Sequence, residues 1–250
     1  MKYFVFAKRS KPFMSIEEST VEQAIRYNEW KHYGESNYRV YYFNATDVRL
    51  DPNHDIVPVG EIEFINDVLR CNSMPLLQAI NIPNDLNHPE FLHRKIWSCV
   101  STEKIDELGC ELIAKPADVP KRFEAIHIRP GETSKIIIPN GPLFLSEMLP
   151  QPILAEWRVF VFRGEIVDIR PYILDEWVFP NRSVIEAMIA AWTDASPAYT
   201  LDVAVLQGGT TALLEVHNFI NCGLYGMESP RILPMLCSAW RWEITQPQRR

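Results

Sequence analysis

No apolar run in the sequence approaches the roughly 18 residues that a helix needs to cross a bilayer, so no spanning helix is expected. The N-terminal Tyr3–Ala7 stretch lies between Lys2 and Lys8, is too short for a signal peptide, and reads as a first strand. The five cysteines, Cys71, Cys99, Cys110, Cys222 and Cys237, are odd in number and none forms a CxxC pair. That spacing disfavours a zinc site or a disulfide framework and fits reduced thiols in a cytoplasmic protein. An excess of positive charge is also missing. The formal net charge of −7 argues against non-specific binding to nucleic acid or to an anionic membrane. Neither GxxxxGK(S/T) nor GxGxxG occurs, so any nucleotide has to be held by side chains and sheet edges. No Ser/His/Asp or Cys/His arrangement stands out, and there is neither an internal repeat nor a low-complexity segment.

What remains is an ordinary globular composition, 47% hydrophobic and 23% charged over 250 residues, enough for one to three domains. Ser19-Thr20-Val21-Glu22 has the spacing of a capping box and predicts a helix running to Tyr33 and stopping at Gly34. Tyr38–Phe43 is β-branched and aromatic and reads as a second strand, so strand, helix and strand make a small α/β unit. Ile62–Leu69 reads as a short helix. The four asparagines and three prolines between Asn72 and Pro89 mark a domain boundary. Beyond it, Phe91–Trp97 is expected to be helical, and Thr102 is expected to cap a helix ended by Gly109. Strands are expected over Cys110–Pro116 and Gly141–Met148, and in hairpins about Arg163-Gly164 and Gly208-Gly209. Ser183 opens a predicted helix reaching Trp192, and Arg231–Trp242 closes the chain as a helix. The fold class is α+β, with antiparallel sheets in the last two-thirds.

The candidate chemistry lies on these last strands. Glu215 and His217 are two apart and share a strand face, and Asp202 on the partner strand can reach it. Two carboxylates and a neutral ligand suit Mg²⁺, which takes its other ligands from water and phosphate. The competing reading is a rim of charges on a solvated face. Arg158, inside an otherwise apolar strand, is either a salt-bridge partner or a fork for phosphate or carboxylate. Lys115, ending an apolar strand, either snorkels to water or points at a phosphate. Arg170 depends on the hairpin. A two-residue Arg163-Gly164 loop pairs Arg158 with Ile169 and turns Arg170 away, whereas a three-residue loop with a bulge places Arg170 beside Arg158.

In order along the chain stand Ile113-Ala114-Lys115-Pro116, Leu145-Ser146-Glu147, Glu156-Trp157-Arg158-Val159-Phe160-Val161, Leu201-Asp202-Val203 and Leu214-Glu215-Val216-His217-Asn218, followed by Gly223-Leu224-Tyr225-Gly226. This series resembles the ATP-grasp superfamily, and within it the RimK-related R2K clade, over roughly residues 91–226. The resemblance implies two α+β subdomains, 89–152 and 153–250, clasping ATP behind an N-terminal α/β domain of residues 1–88. It implies that Lys115, and Arg94 or Lys95, meet the nucleotide phosphates. By the same resemblance Glu147, with Met148 next to it, is expected at the hinge beside adenine and ribose; Glu156 and Arg170 are further candidates for binding the nucleotide. The resemblance also implies that Arg158 faces the transferred phosphoryl group and that Asp202 and Glu215 hold Mg²⁺, with Mn²⁺ as an alternative. Where the family has asparagine two residues after the glutamate, this chain has His217, with Asn218 next to it. Either residue then completes the metal set, or activity is lost. The implied activity is an ATP-dependent carboxylate–amine (or thiol) ligase acting through an acyl phosphate on small-molecule or peptide substrates. A degenerate nucleotide-binding scaffold and a small-molecule kinase are the alternatives.

Overall fold

The computed structural model describes residues 1–8, 15–51, 55–100, 105–120, 122–227 and 230–245. The chain opens with β1 (Lys2–Ala7), α1 (Ile16–Lys31), β2 (Tyr38–Phe43), β3 (Asp55–Val59) and α2 (Ile62–Cys71). The three strands form a parallel sheet of order β2-β1-β3, as an α/β unit with crossover connections requires. Helix α1 starts one turn earlier than the sequence implies. Ser15 and Glu18, not Ser19 and Glu22, exchange the capping-box hydrogen bonds, at 3.1 and 2.8 Å. Residues 16–18 contain no helix breaker, so helix continues back to the first side chain able to cap it.

A second group follows: α3 (Pro89–Leu92), β4 (Ile96–Val100), α4 (Ile105–Leu108), β5 (Leu112–Pro116), β6 (Ile126–Ile128) and β7 (Leu143–Glu147). Its strands form an antiparallel sheet of order β4-β7-β5-β6. The helix expected over Phe91–Trp97 is not there. His93 turns left-handed at φ 50°, which ends the short helix, and the chain leaves as strand β4. The apolar residues of that stretch are shared between a helical turn and an edge strand, two environments that periodicity does not separate. Thr102 lies outside the described residues.

The third group is β8 (Ile153–Phe162), β9 (Glu165–Leu174), α5 (Arg182–Ala191), β10 (Ala198–Leu206), β11 (Thr211–Asn218) and α6 (Ile232–Thr245). The strands form an antiparallel sheet of order β11-β10-β8-β9. Arg163 and Gly164, at φ 53° and 78°, make the tight two-residue turn between β8 and β9. Helix α5 is capped by Asn181, whose side chain accepts from the Ser183 N–H at 2.9 Å, so Ser183 lies inside the helix and is not its cap. One face of the sheet, with Trp157, Val159, Leu201 and Val203, packs with Ile185 and Met188 of α5 and with Leu92. The opposite face carries the polar site. Closing helix α6 packs between β10 of this sheet and the first unit, where Leu233, Leu236 and Trp240 share a core with Phe160 and with Phe4, Phe6 and Ile25. No described helix is long and apolar enough to cross a membrane.

Candidate active site

One row of side chains runs across the β11-β10-β8-β9 sheet. Glu215 lies opposite Asp202, Asp202 opposite Arg158, and Arg158 opposite Arg170. Directly opposed residues share a face, so all four point the same way. Two irregularities produce this row. From the Gly208-Gly209 turn, β11 pairs regularly as far as Leu213 with Val203, and the next pair is Glu215 with Asp202. Leu214 is therefore an extra, bulged residue. Without it Leu214 faces Asp202, and Glu215 and His217 fall on the opposite face. Likewise, the two-residue loop pairs Phe162 with Glu165 as expected, but a bulge at Val167 moves the register so that Arg170 meets Arg158.

Arg158 and Asp202 are 5% and 3% exposed, which makes their pairing a buried one. The Arg158 Nε and Nη2 donate to the two Asp202 oxygens at 2.7 and 2.6 Å, and Nη1 donates to the Gly223 carbonyl at 2.9 Å. The Tyr225 ring lies 4.8 Å and the Tyr172 ring 5.9 Å from the guanidinium carbon, and the two rings stack on each other at 5.0 Å. Glu156 lies on the same face as Arg158, and burial, followed by the nearby Asp202 and Glu156 carboxylates, pushes the Tyr172 hydroxyl pKa up. Burial alone would raise the Asp202 carboxyl, but hydrogen bonds from Arg158 and His217 outweigh it and hold the group below its ordinary value.

His217 Nε2 lies 3.2 Å from Asp202 and 3.1 Å from Glu215. One ligand atom from each of the three residues falls within 4.8 Å of the others. Two carboxylates and an imidazole fit a divalent cation, with Mn²⁺ more tolerant of the nitrogen than Mg²⁺. Asn218 is not brought to this group: it donates to Glu243 of α6 at 2.8 Å and accepts from the Ile220 N–H at 3.0 Å.

Lys115, at the end of β5, reaches across from the second sheet and forms an ion pair with Glu215. Burial, and then the Arg94 guanidinium, lower its pKa against the pull of Asp202 and Glu156. Arg94 lies behind Lys115 and bonds to Ser146 and to the carbonyls of Leu92, Leu213 and Leu214. Lys95 is exposed, and its backbone N–H donates to the Glu147 carboxylate at 2.8 Å. Met148 follows Glu147 and is 44% exposed. Arg170 is half-exposed and paired with Asp168 at 2.9 Å. A cavity of about 590 Å³ extends from Lys115, Arg158 and Glu215 to Gly60, Glu61 and Asn81, so residues of the first and last sheets meet around one space.

Sequence reasoning passed over Tyr172, Ser146 and Gly223 as functional residues. Gly223 and Tyr225 belong to the glycine-flanked tail that carried part of the resemblance, which was the available signal. Tyr172 gave none, because it reaches Arg158 through a bulge between the Glu156–Ile173 and Trp157–Pro171 pairs.

A family model described as "ATP-grasp domain, R2K clade family 2" matches residues 91–235. Among solved structures, the chain is similar to a RimK-domain ATP-grasp protein from Sphaerobacter thermophilus at 12% identity, TM-score 0.56, covering 97% of this chain and 100% of that one. It is similar to D-cycloserine synthetase DcsG at 10% identity, TM-score 0.58, covering 97% and 100%. It is also similar to the D-alanine–D-alanine ligase of Bacillus anthracis in complex with ATP, at 12% identity, TM-score 0.51, covering 99% and 100%. Among curated proteins nothing matches. The structural likenesses speak to fold, and the family match spans more than half of the sequence: the chain belongs to the ATP-grasp domain, R2K clade family 2.

Proposed function

We propose that the protein is an ATP-dependent ligase that joins a carboxylate to an amine (or thiol) through an acyl phosphate. The observation that carries this reading is the Glu215–Asp202–Arg158 row facing Lys115 across a shared cavity. Several of the structural relatives are ligases or synthetases by name, which supports the same reading. In the first step a substrate carboxylate oxygen bonds to the γ-phosphorus of ATP while the bond to the β-phosphate oxygen breaks, giving acyl phosphate and ADP. The amine then bonds to the acyl carbon, loses a proton, and inorganic phosphate leaves. Lys115 and Arg158 neutralise charge on the phosphoryl oxygens, and the stacked Tyr172 and Tyr225 keep the Arg158 plane fixed. Such a site works by positioning and electrostatics. A divalent cation, Mg²⁺ or Mn²⁺, would be held by Asp202, Glu215 and His217 and would supply positive charge beside the phosphates.

The divisions 1–88, 89–152 and 153–250, and a cytoplasmic location, belong to the same proposal; Cys71, Cys110, Cys222 and Cys237 are free thiols. The test is ADP release with a panel of acids and amines. Release that needs both substrates supports the ligase, and failure to bind ATP with either Mg²⁺ or Mn²⁺ sinks it. His217, resting between the two carboxylates, favours a second reading as a nucleotide-binding scaffold. ATP binding with no turnover on any acid would favour that scaffold.

A further inference from the structure

In a regular strand the carbonyls of consecutive residues point to opposite edges. The Arg94 guanidinium nevertheless reaches two consecutive carbonyls of β11: Nη1 donates to Leu213 O at 2.6 Å and Nη2 to Leu214 O at 3.1 Å. A bulge breaks that alternation, and Leu214 is the bulged residue. Strand β11 is also the edge of its sheet, so these carbonyls have no further strand to pair with. Arg94 belongs to the other sheet's group: it follows α3, and its Nε donates to Ser146 of β7 at 2.6 Å. Its Nη1 also donates to Leu92 O at 3.1 Å. These four bonds leave a single guanidinium N–H uncommitted. Among the described residues no carboxylate stands within ion-pair distance of it.

We propose that Arg94 is a positioning residue that holds the Leu214 bulge, and so keeps Glu215 and His217 on the Asp202 face. It is then a strut between the nucleotide-side sheet and the metal-side strand, and not a direct phosphate contact. The inference rests on the ligase reading above only for the identity of the ligands, a divalent cation and a nucleotide. A lysine keeps the charge but presents a point donor where the fork spans Ser146, Leu213 and Leu214.

The experiment measures Mn²⁺ binding by electron paramagnetic resonance in the presence of ADP, and ADP binding in EDTA, on the full chain. Arg94→Lys and Arg94→Met are each expected to weaken Mn²⁺ binding by about 10–100-fold, the usual effect of losing a residue that orients a metal ligand. ADP affinity in EDTA is expected to stay at the wild-type value. Amide exchange of residues 213–217 should accelerate in both variants. A loss of ADP affinity in EDTA that matches the Mn²⁺ loss, or full recovery in Arg94→Lys, overturns the inference and makes Arg94 a phosphate contact. If the Arg94 variants do not fold, Ser146→Ala carries the test with a smaller loss in the same direction, and wild-type Mn²⁺ affinity in Ser146→Ala overturns it. Wild-type protein that binds ADP but no Mn²⁺ removes the metal reading and this inference together. Wild-type protein that binds neither removes the ligase reading itself.

Discussion

Asp202→Asn is the substitution whose consequence follows most directly from the structure. The change leaves the shape of the side chain intact but removes the charge facing Arg158, and it turns one acceptor into an NH₂ group aimed at a guanidinium donor. Arg158 is 5% exposed and donates to both Asp202 oxygens, so the variant leaves a desolvated cation without its counter-ion. Removing one partner of a buried pair costs about 3–5 kcal/mol. The Gly223 carbonyl and the two tyrosine rings stay in place and blunt that cost without replacing the charge. For a chain of this length about 2–4 °C of melting temperature accompanies each kcal/mol, so a fall of roughly 6–20 °C is expected. The assay is thermal unfolding by circular dichroism with no nucleotide or metal present, which separates the architectural effect from any catalytic one. The paired change Arg158→Met with Asp202→Leu should recover most of the loss, because well-packed apolar residues replace a buried ion pair at little cost. A loss below about 1 kcal/mol for Asp202→Asn, the level of a surface ion pair, refutes the reasoning.

Other expectations concern the ligand-facing groups and the closing helix. Lys115→Met removes one charge-assisted contact and should weaken ATP binding on the order of 10–100-fold in a titration with a fluorescent ATP analogue; unchanged binding would place the phosphates elsewhere. His217→Asn exchanges imidazole for an oxygen donor and should move metal preference from Mn²⁺ towards Mg²⁺, on the order of tenfold, in competition measured by Mn²⁺ paramagnetic resonance. An unaltered preference would mean that His217 is not a ligand. Glu243 is pushed up from its ordinary value of 4.5 by burial, against the hydrogen bond from Asn218. The folded state therefore binds this proton more tightly than the unfolded state. That contribution is full below pH 4.5 and is lost as pH rises through the elevated folded value. Glu243→Gln should consequently gain on the wild type as pH rises from 4.5, read from denaturant midpoints, and a gap that narrows with pH contradicts the assignment.

Much of the architecture is local and was legible. The Arg163-Gly164 turn needs two residues of positive φ, and the β-branched, aromatic strands on either side of it announce themselves. The order of short motifs from Lys115 to Gly226 also pointed to the ATP-grasp family, because all of them except the Gly223–Gly226 tail sit on strands whose ends the sequence marks. Errors arose where two local signals competed. Both Ser15 and Ser19 stand three residues before a glutamate, and only the position of the helix start, one turn further back, decides between them. At residues 91–97 an apolar stretch is divided between a helical turn and a strand by the left-handed His93, which no residue-type preference announces.

The residue types of the site, their order and the strands that bear them were determined by the sequence alone. Which way those side chains face was decided by the tertiary structure. A strand has a period of two, so one extra residue reverses every side chain beyond it, and the extra residues at Leu214 and Val167 are what gather Glu215, Asp202, Arg158 and Arg170 on one face. The Leu214 bulge is capped by Arg94, well over a hundred residues away in the chain, and Arg158 is locked by Tyr172 and Gly223. Local sequence cannot place a bulge whose carbonyls are satisfied from another sheet, because the interactions that favour it exist only once the sheets have come together.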